Sequence, residues 1–254
     1  MDIIEFQNNT NENRHPWELA RLEVVYSFIS KHLSTKQAVN ILDVGCGDTF
    51  VVSELLKKMP NAKFHAVDIE FTAEMIEQFQ DKGIELYQHI NELENRIEKA
   101  NLVLLMDVIE HIEDEKAFLK DLIQKNYISN DTLFLITVPA YQSLFSEHDV
   151  FLKHYRRYSR KQLNNVLKES GFEIIESGNF FSSLLVPRLL SLAKERLFSS
   201  KEAKGLSSWK GSKKQSNILK EVLYLDFKTT NILKQLGVNL PGLSTYSLCR
   251  RPVL

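Results

Sequence analysis

Cysteine, glycine and long apolar runs are all scarce in this chain. Its two cysteines, Cys46 and Cys249, lie far apart and form no metal-ligand spacing. That excludes a disulfide scaffold and points to reduced thiols in the cytoplasm. Nine glycines and six prolines in 254 residues are too few for a collagen-like or low-complexity chain. No stretch reaches the roughly 18 uncharged apolar residues of a membrane span. The longest, Phe180 to Leu192, is broken by Pro187 and Arg188. The opening MDIIEFQNNTNENR is polar and acidic, so no secretory signal is expected and residues 1–14 read as a frayed leader. Neither charge prevails, with 32 Lys and Arg against 33 Asp and Glu. No global field therefore recruits nucleic acid. The basic residues do cluster late, at Lys153 to Lys161 and Lys194 to Lys220. Such clusters suit either a solvated helix face or a phosphate-bearing partner.

What is present is an alternation of short apolar runs with amphipathic segments, in a chain that is 43% hydrophobic. A helix is expected from Pro16, where Trp17, Leu19, Leu22, Val25, Phe28, Ile29 and Leu33 recur at helical spacing. Strands are expected at Val39–Val44, Lys63–Ile69, Ile84–His89, Leu102–Met106, Thr132–Pro139 and Phe172–Phe180. Helices are expected between them at Val51–Met59, Ala73–Lys82, Leu93–Glu98, Glu115–Gln124 and Arg160–Ser170. The pattern predicts an α/β fold, a doubly wound and mostly parallel seven-stranded sheet with helices on both faces. Residues 180–235 read as a helical insert with a soft Lys/Gly/Ser-rich middle. LPGLSTYSLCRR then supplies a last, antiparallel strand, all within one domain spanning residues 1–254.

In an open α/β sheet, ligands gather at the carboxyl ends of the strands. Asn40-Ile41-Leu42-Asp43-Val44-Gly45-Cys46-Gly47-Asp48-Thr49 ends the first strand. Its two glycines permit positive φ and close backbone approach, and the following helix start offers backbone N–H groups to an acceptor. A lone Gly-x-Gly equally serves a tight chain reversal. Asp68, 25 residues after Asp43 and at the end of the second strand, can accept both hydroxyls of a ribose. Phe50 stands where a dinucleotide-binding Gly-x-Gly-x-x-Gly would place its last glycine, so a nucleotide-dependent oxidoreductase is the weaker reading.

ILDVGCGDT, AVDIE, LMDVIEHIED and LIQKNYISNDTLFLITVP together resemble the class I S-adenosylmethionine-dependent methyltransferases, whose sheet is Rossmann-like. The resemblance covers about residues 38–140. It extends to the ubiquinone-type and small-molecule subset through HPWELAR and VPAYQSLFSEHDVFLKHYRRYS. It implies S-adenosylmethionine as cofactor. Asp43, Gly45, Cys46 and Gly47 would then line its methionine part, with Asp68 on the ribose and Ile69 against adenine, and Asp107 would be a further cofactor-binding residue. His15, Trp17 and Arg21 would lie on a helix within residues 1–35 that lids the cofactor, Trp17 being equally suited to plain helix packing. Two positions depart from the family pattern. Thr49 replaces its common last glycine, and His89 stands where an acid often meets the adenine amino group.

Methyl transfer asks the protein to align two reactants and remove one proton. The candidate bases are Asp107, Glu110, His111, Glu147, His148, Asp149 and His154, with His111 and His154 preferred for the near-neutral titration of imidazole. DVIEH sets Asp107, Glu110 and His111 on one helical face, similar to a Glu-x-x-Glu-His metal motif of some relatives, with His154 as a later ligand. A divalent ion is compatible with these residues, but the reading assigns no metal. Arg156, Arg157 and Arg160 suit an anionic small molecule, or alternatively stitch a loop to neighbouring acids. FFSSLLVPRLLSLAKERLF combines apolar bulk with basic residues. It suits a peripheral membrane contact, a greasy lipid-linked substrate, a lid or a dimer contact. The expected activity is O- or N-methylation of a small molecule of quinone, isoprenoid or lipid-linked sugar type. A catalytically inactive, cofactor-binding regulator is the alternative.

Overall fold

In a computed structural model, the described residues are 14–34, 36–79, 83–198, 209 and 211–252. The leader expected over residues 1–14 lies outside them except for Arg14, as does the end of the helix expected to reach Lys82.

Helix α1 (Pro16–His32) precedes an alternation of strands and helices: β1 (Asn40–Val44), α2 (Phe50–Lys58), β2 (Lys63–Val67), α3 (Ala73–Phe79), β3 (Ile84–Tyr87), β4 (Leu102–Met106), α4 (Glu115–Ile123) and β5 (Leu133–Pro139). A short α5 (Glu147–Phe151), α6 (Arg160–Glu169) and β6 (Glu173–Phe180) follow. The insert forms α7 (Leu185–Phe198) and α8 (Lys213–Gln235), and β7 (Ser244–Arg250) closes the sheet.

The seven strands lie in the order β3-β2-β1-β4-β5-β7-β6. The first five are parallel, and β7 pairs antiparallel with both β5 and β6. Side chains alternate across each strand, so neighbouring residues feed opposite cores. Ile41 and Leu104 join one core with Val25, Phe28, Leu55 and Phe227 from α1, α2 and α8. Leu42, Val103 and Leu105 join the other with Leu119, Leu122, Leu163 and Leu167 from α4 and α6. Strand β4, LVLLM, is buried along its whole length, as a strand covered on both faces must be. Phe28 meets Phe227 and Tyr246 at ring separations of 5.7 and 4.6 Å, which fastens α1 to the insert and to β7.

One expected element differs. Leu93–Glu98 is not a helix. A 3₁₀ turn occupies Ile90–Leu93 instead, because Glu92 accepts the His89 backbone N–H and starts the turn early. Asn95 then takes φ +71° and stops it. From β1 the chain crosses to β2 on one side and β4 takes the other side, so a crevice opens where β1 and β4 end.

Candidate functional site

The turn after β1 is tied down from below. Gly45 and Cys46 donate their N–H groups to Val67 O at 2.8 and 3.2 Å. Gly47 N–H donates to Asp68 Oδ2 at 2.8 Å. Asp68 Oδ1 accepts the Glu70 N–H at 3.0 Å, which fixes the carboxylate at the lip of β2. Gly45 and Gly47 take φ +72° and +58°. Thr49 also sits in the left-handed region at φ +60°, where a β-branched residue is strained and glycine is not. The turn thus performs the expected reversal, with strain at Thr49. Arg14 pairs with the buried Asp48 and lies over the Phe50 ring, closing the start of α2 from the outside.

Beside the turn, Asp107 ends β4 at φ +57°. Its carboxylate pairs with Arg21 of α1 and accepts the Thr137 hydroxyl at 3.3 Å. Arg21 also stacks 4.5 Å over the Trp17 ring, so α1 is bound to the sheet at this point. Trp17 both lines the cavity and packs on Phe181, while His15 caps the helix by accepting the Trp17 N–H.

Asp43 and Glu110 are fully buried, and their carboxylate oxygens have no hydrogen-bond partner among the described residues. Burial pushes the Asp43 carboxyl up to about 7. Burial, followed by the charge of Asp107, pushes Glu110 well above the usual carboxylate range. Asp43 lies behind the turn rather than on the cavity wall, whereas Gly45, Cys46, Gly47, Asp68, Ile69 and Asp107 all line the cavity.

On the far side, His154 Nδ1 meets Asp149 Oδ1 at 2.9 Å. Asp149 is wholly buried and also takes Arg157 Nε at 2.7 Å, Arg157 Nη2 at 3.0 Å and the Ser146 N–H at 2.9 Å. Burial alone would raise its pKa, but the bonds from His154 and Arg157 prevail and hold it well below the usual range. The His111 ring stands edge-on to His154 at 4.5 Å. Both imidazoles face the cavity, as does His148, which burial lowers to about 4. Glu147 does not line it.

The arginine-rich segment is internally committed. Arg157 serves Asp149 and the Ala140 carbonyl, Arg156 serves Glu115 and the Glu113 carbonyl, and Arg160 serves Asn239. The stitched-loop reading therefore describes this segment. The role of Asp149 as its hub is what sequence reasoning missed. The signal available was Ser146-Glu147-His148-Asp149, a capping box that fixes this acid in place.

Glu110, His111 and His154 bring one potential ligand atom each to within 4.8 Å of one another. Two ligands on one tetrahedral ion with bonds of about 2.1 Å stand roughly 3.4 Å apart. The donor set and the orphaned Glu110 oxygens are compatible with a cation at such spacing.

The cavity that the turn, Asp68, Asp107, Glu110, His111, His148 and His154 line holds about 1180 Å³, more than the roughly 300–1,000 Å³ typical of a single small-molecule site. It has room for two reactants. The glycine turn, Asp68, Ile69 and His89 form one wall, while His111, His154, Tyr155 and Arg188 form another. At Gly45 a Cβ would come within 2.6 Å of Val108 Cγ2, so the turn stays open beside the cavity only with glycine there.

Comparison with known proteins agrees with this geometry. Residues 15–177 match the methyltransferase domain family. A ubiquinone biosynthesis O-methyltransferase of Rickettsia canadensis is 31% identical over 110 residues, 41% of this chain and 45% of that protein. The match thus spans less than half of that relative's length. Among solved structures, a putative sarcosine dimethylglycine methyltransferase from Galdieria sulphuraria superposes with a TM-score of 0.57. Its identity is 14%, over 92% of this chain and 86% of that one. The [4+2]-cyclase SpnF superposes with a TM-score of 0.56 at 12% identity, over 96% and 86%. The fold alone therefore does not determine the chemistry.

Proposed function

The chain belongs to the class I S-adenosylmethionine-dependent methyltransferases, and from that premise we propose that it methylates an oxygen or nitrogen of a small molecule. The acceptor class that best suits the site is a quinone or isoprenoid precursor or a lipid-linked sugar, met in the cytoplasm or at a membrane surface. S-adenosylmethionine, when bound, supplies an activated methyl on a sulfonium. Asp68, fixed at the lip of β2 by the backbone N–H groups of Gly47 and Glu70, would hold the ribose. Ile69, 72% exposed at the cavity edge, would lie against the adenine. Gly45, Cys46 and Gly47 leave room for the methionine portion, with Asp107, paired to Arg21, beside it and Asp43 behind the turn.

His154 is the proposed base. Asp149 holds Nδ1, so Nε2 is the nitrogen left to accept the acceptor's proton while the methyl–sulfur bond breaks and its electron pair stays on sulfur. His111, edge-on to it, would help place the acceptor. The observation that carries this reading is the Asp149–His154 pair facing the same cavity as the glycine turn. His154→Ala is expected to lower turnover about 10²–10⁴-fold with S-adenosylhomocysteine affinity unchanged. Unchanged turnover would remove His154 from the chemistry.

The strained Thr49 favours one rival, a cofactor-binding regulator without turnover. Binding of S-adenosylhomocysteine by a protein that methylates no quinone, isoprenoid or sugar acceptor would favour that rival.

A further inference from the structure

We infer that the outer face of the helical insert docks on an anionic lipid surface. This deepens the proposal of a membrane-borne acceptor, on which its purpose rests, but docking is measurable without any methyl acceptor. On α7, Val186, Leu189, Leu190 and Leu197 are between 52 and 76% exposed. At 100° per residue they fall within one third of the helix circumference. The buried Leu192 and the cavity-lining Arg188 lie on the other side, and Lys194 and Arg196 flank the apolar arc. Helix α8 is built the same way. Its inner face buries Ser216, Leu223, Phe227 and Thr230. Ile218, Val222, Leu225, Ile232 and Leu236 form a second apolar face, 52 to 74% exposed.

Charge selects the occupant. Leaving out Arg188, which lines the cavity, and Lys234, which bonds Glu176 and Tyr246 of the sheet, the two helices carry six basic residues against three acidic ones, in a chain whose net charge is −1. Apolar faces flanked by Lys and Arg suit the surface of a membrane with acidic headgroups. No helix among the described residues is long and apolar enough to cross one, so these helices would lie on it.

A second copy fits less well, although the spacing along α8 resembles a coiled-coil seam. An antiparallel pairing that sets Val222 opposite Ile232 brings Lys228 against its own copy and Asp226 against its own. A parallel pairing brings Glu221 against Asp226. The placement also serves the site. Leu184 and Arg188 line the cavity at the start of α7, and the exposed Val150 and Tyr155 line it too. Helix α7 would therefore carry lipid on its apolar face and the cavity on the face of Arg188.

The test is sedimentation of the full chain with phosphatidylcholine vesicles, with and without phosphatidylglycerol. Binding is expected to the anionic vesicles and to weaken with salt. The double variants Leu190→Asp/Leu197→Asp and Lys194→Glu/Lys214→Glu should each reduce partitioning at least about thirtyfold. Their S-adenosylhomocysteine affinity and thermal midpoint should stay unchanged. Protein that remains in the supernatant with both vesicle types overturns the inference. So does light scattering that shows a dimer split by the leucine substitutions, which would assign the face to a second copy. Failure of S-adenosylhomocysteine to bind, with vesicle binding intact, would contradict the cofactor reading alone.

Discussion

At Gly45 the backbone sits at φ +72°, and an added Cβ would come within 2.6 Å of Val108 Cγ2. Gly45→Ala therefore combines a left-handed penalty with overpacking, about 2–4 kcal/mol together. Thermal unfolding should show a midpoint lowered by roughly 5–15 °C. Adding Val108→Ala should recover the part due to crowding and leave the part due to φ. Asp43 gives a second prediction. Its carboxyl ionises near 3.9 in the unfolded chain and at about 7 in the fold. Between those values the folded state holds the proton more tightly, so this group's contribution to stability falls as pH rises from about 4 to 7. Asp43→Asn should flatten that part of the stability–pH profile and stabilise the protein at pH 7, as denaturant unfolding across the range would reveal. An unchanged slope would mean that the group is solvated. These residues were legible as a motif. Their burial was not, because a motif does not say which acid lies behind the turn and which lies on it.

Helix α1 packs on α8 through Phe28 and is tied to the sheet end by one ion pair. Arg21 reaches from the helix to Asp107 and stacks on Trp17, so the helix and the end of β4 share one ion pair. Arg21→Ala would remove the tie and leave Asp107 without its counter-charge. S-adenosylhomocysteine affinity should fall about tenfold, and amide exchange across residues 16–32 should quicken while the β4 amides stay protected. Equal protection of α1 in the variant would show that Phe28 and its aromatic partners hold the helix alone. Apolar periodicity was enough to place α1 and the strands within one or two residues. It failed at Leu93–Glu98, where the capping contact of Glu92 and the left-handed Asn95 outweigh a short run of helix formers. Asp149 was legible only as one acid among several, since the contacts with His154 and Arg157 that make it a hub depend on how the loop folds back.

Over the whole molecule, the alternating pattern carried the sheet because each buried parallel strand needs a covering helix and each crossover needs its length. The antiparallel pairing of β7 with β6 followed from two strands close to the chain end with a helical insert between them, whereas its place beside β5 is seen only in the sheet order. The outward apolar faces of that insert could be suspected from its composition. Only the packing of Leu192, Leu223 and Phe227 shows which sides of α7 and α8 are left over. A ligand that binds only the folded state adds stability as the logarithm of its concentration over Kd. Saturating S-adenosylhomocysteine, at a hundredfold excess over Kd, should therefore raise the thermal midpoint by roughly 5–10 °C.

The most direct test of the central claim is calorimetric titration of the full chain with S-adenosylhomocysteine, beside Asp68→Ala. One site per chain is predicted for the unaltered protein, with affinity reduced at least about tenfold in the variant, because a carboxylate that accepts the ribose hydroxyls is gone. Absence of binding, or binding that Asp68→Ala leaves untouched, would contradict the account.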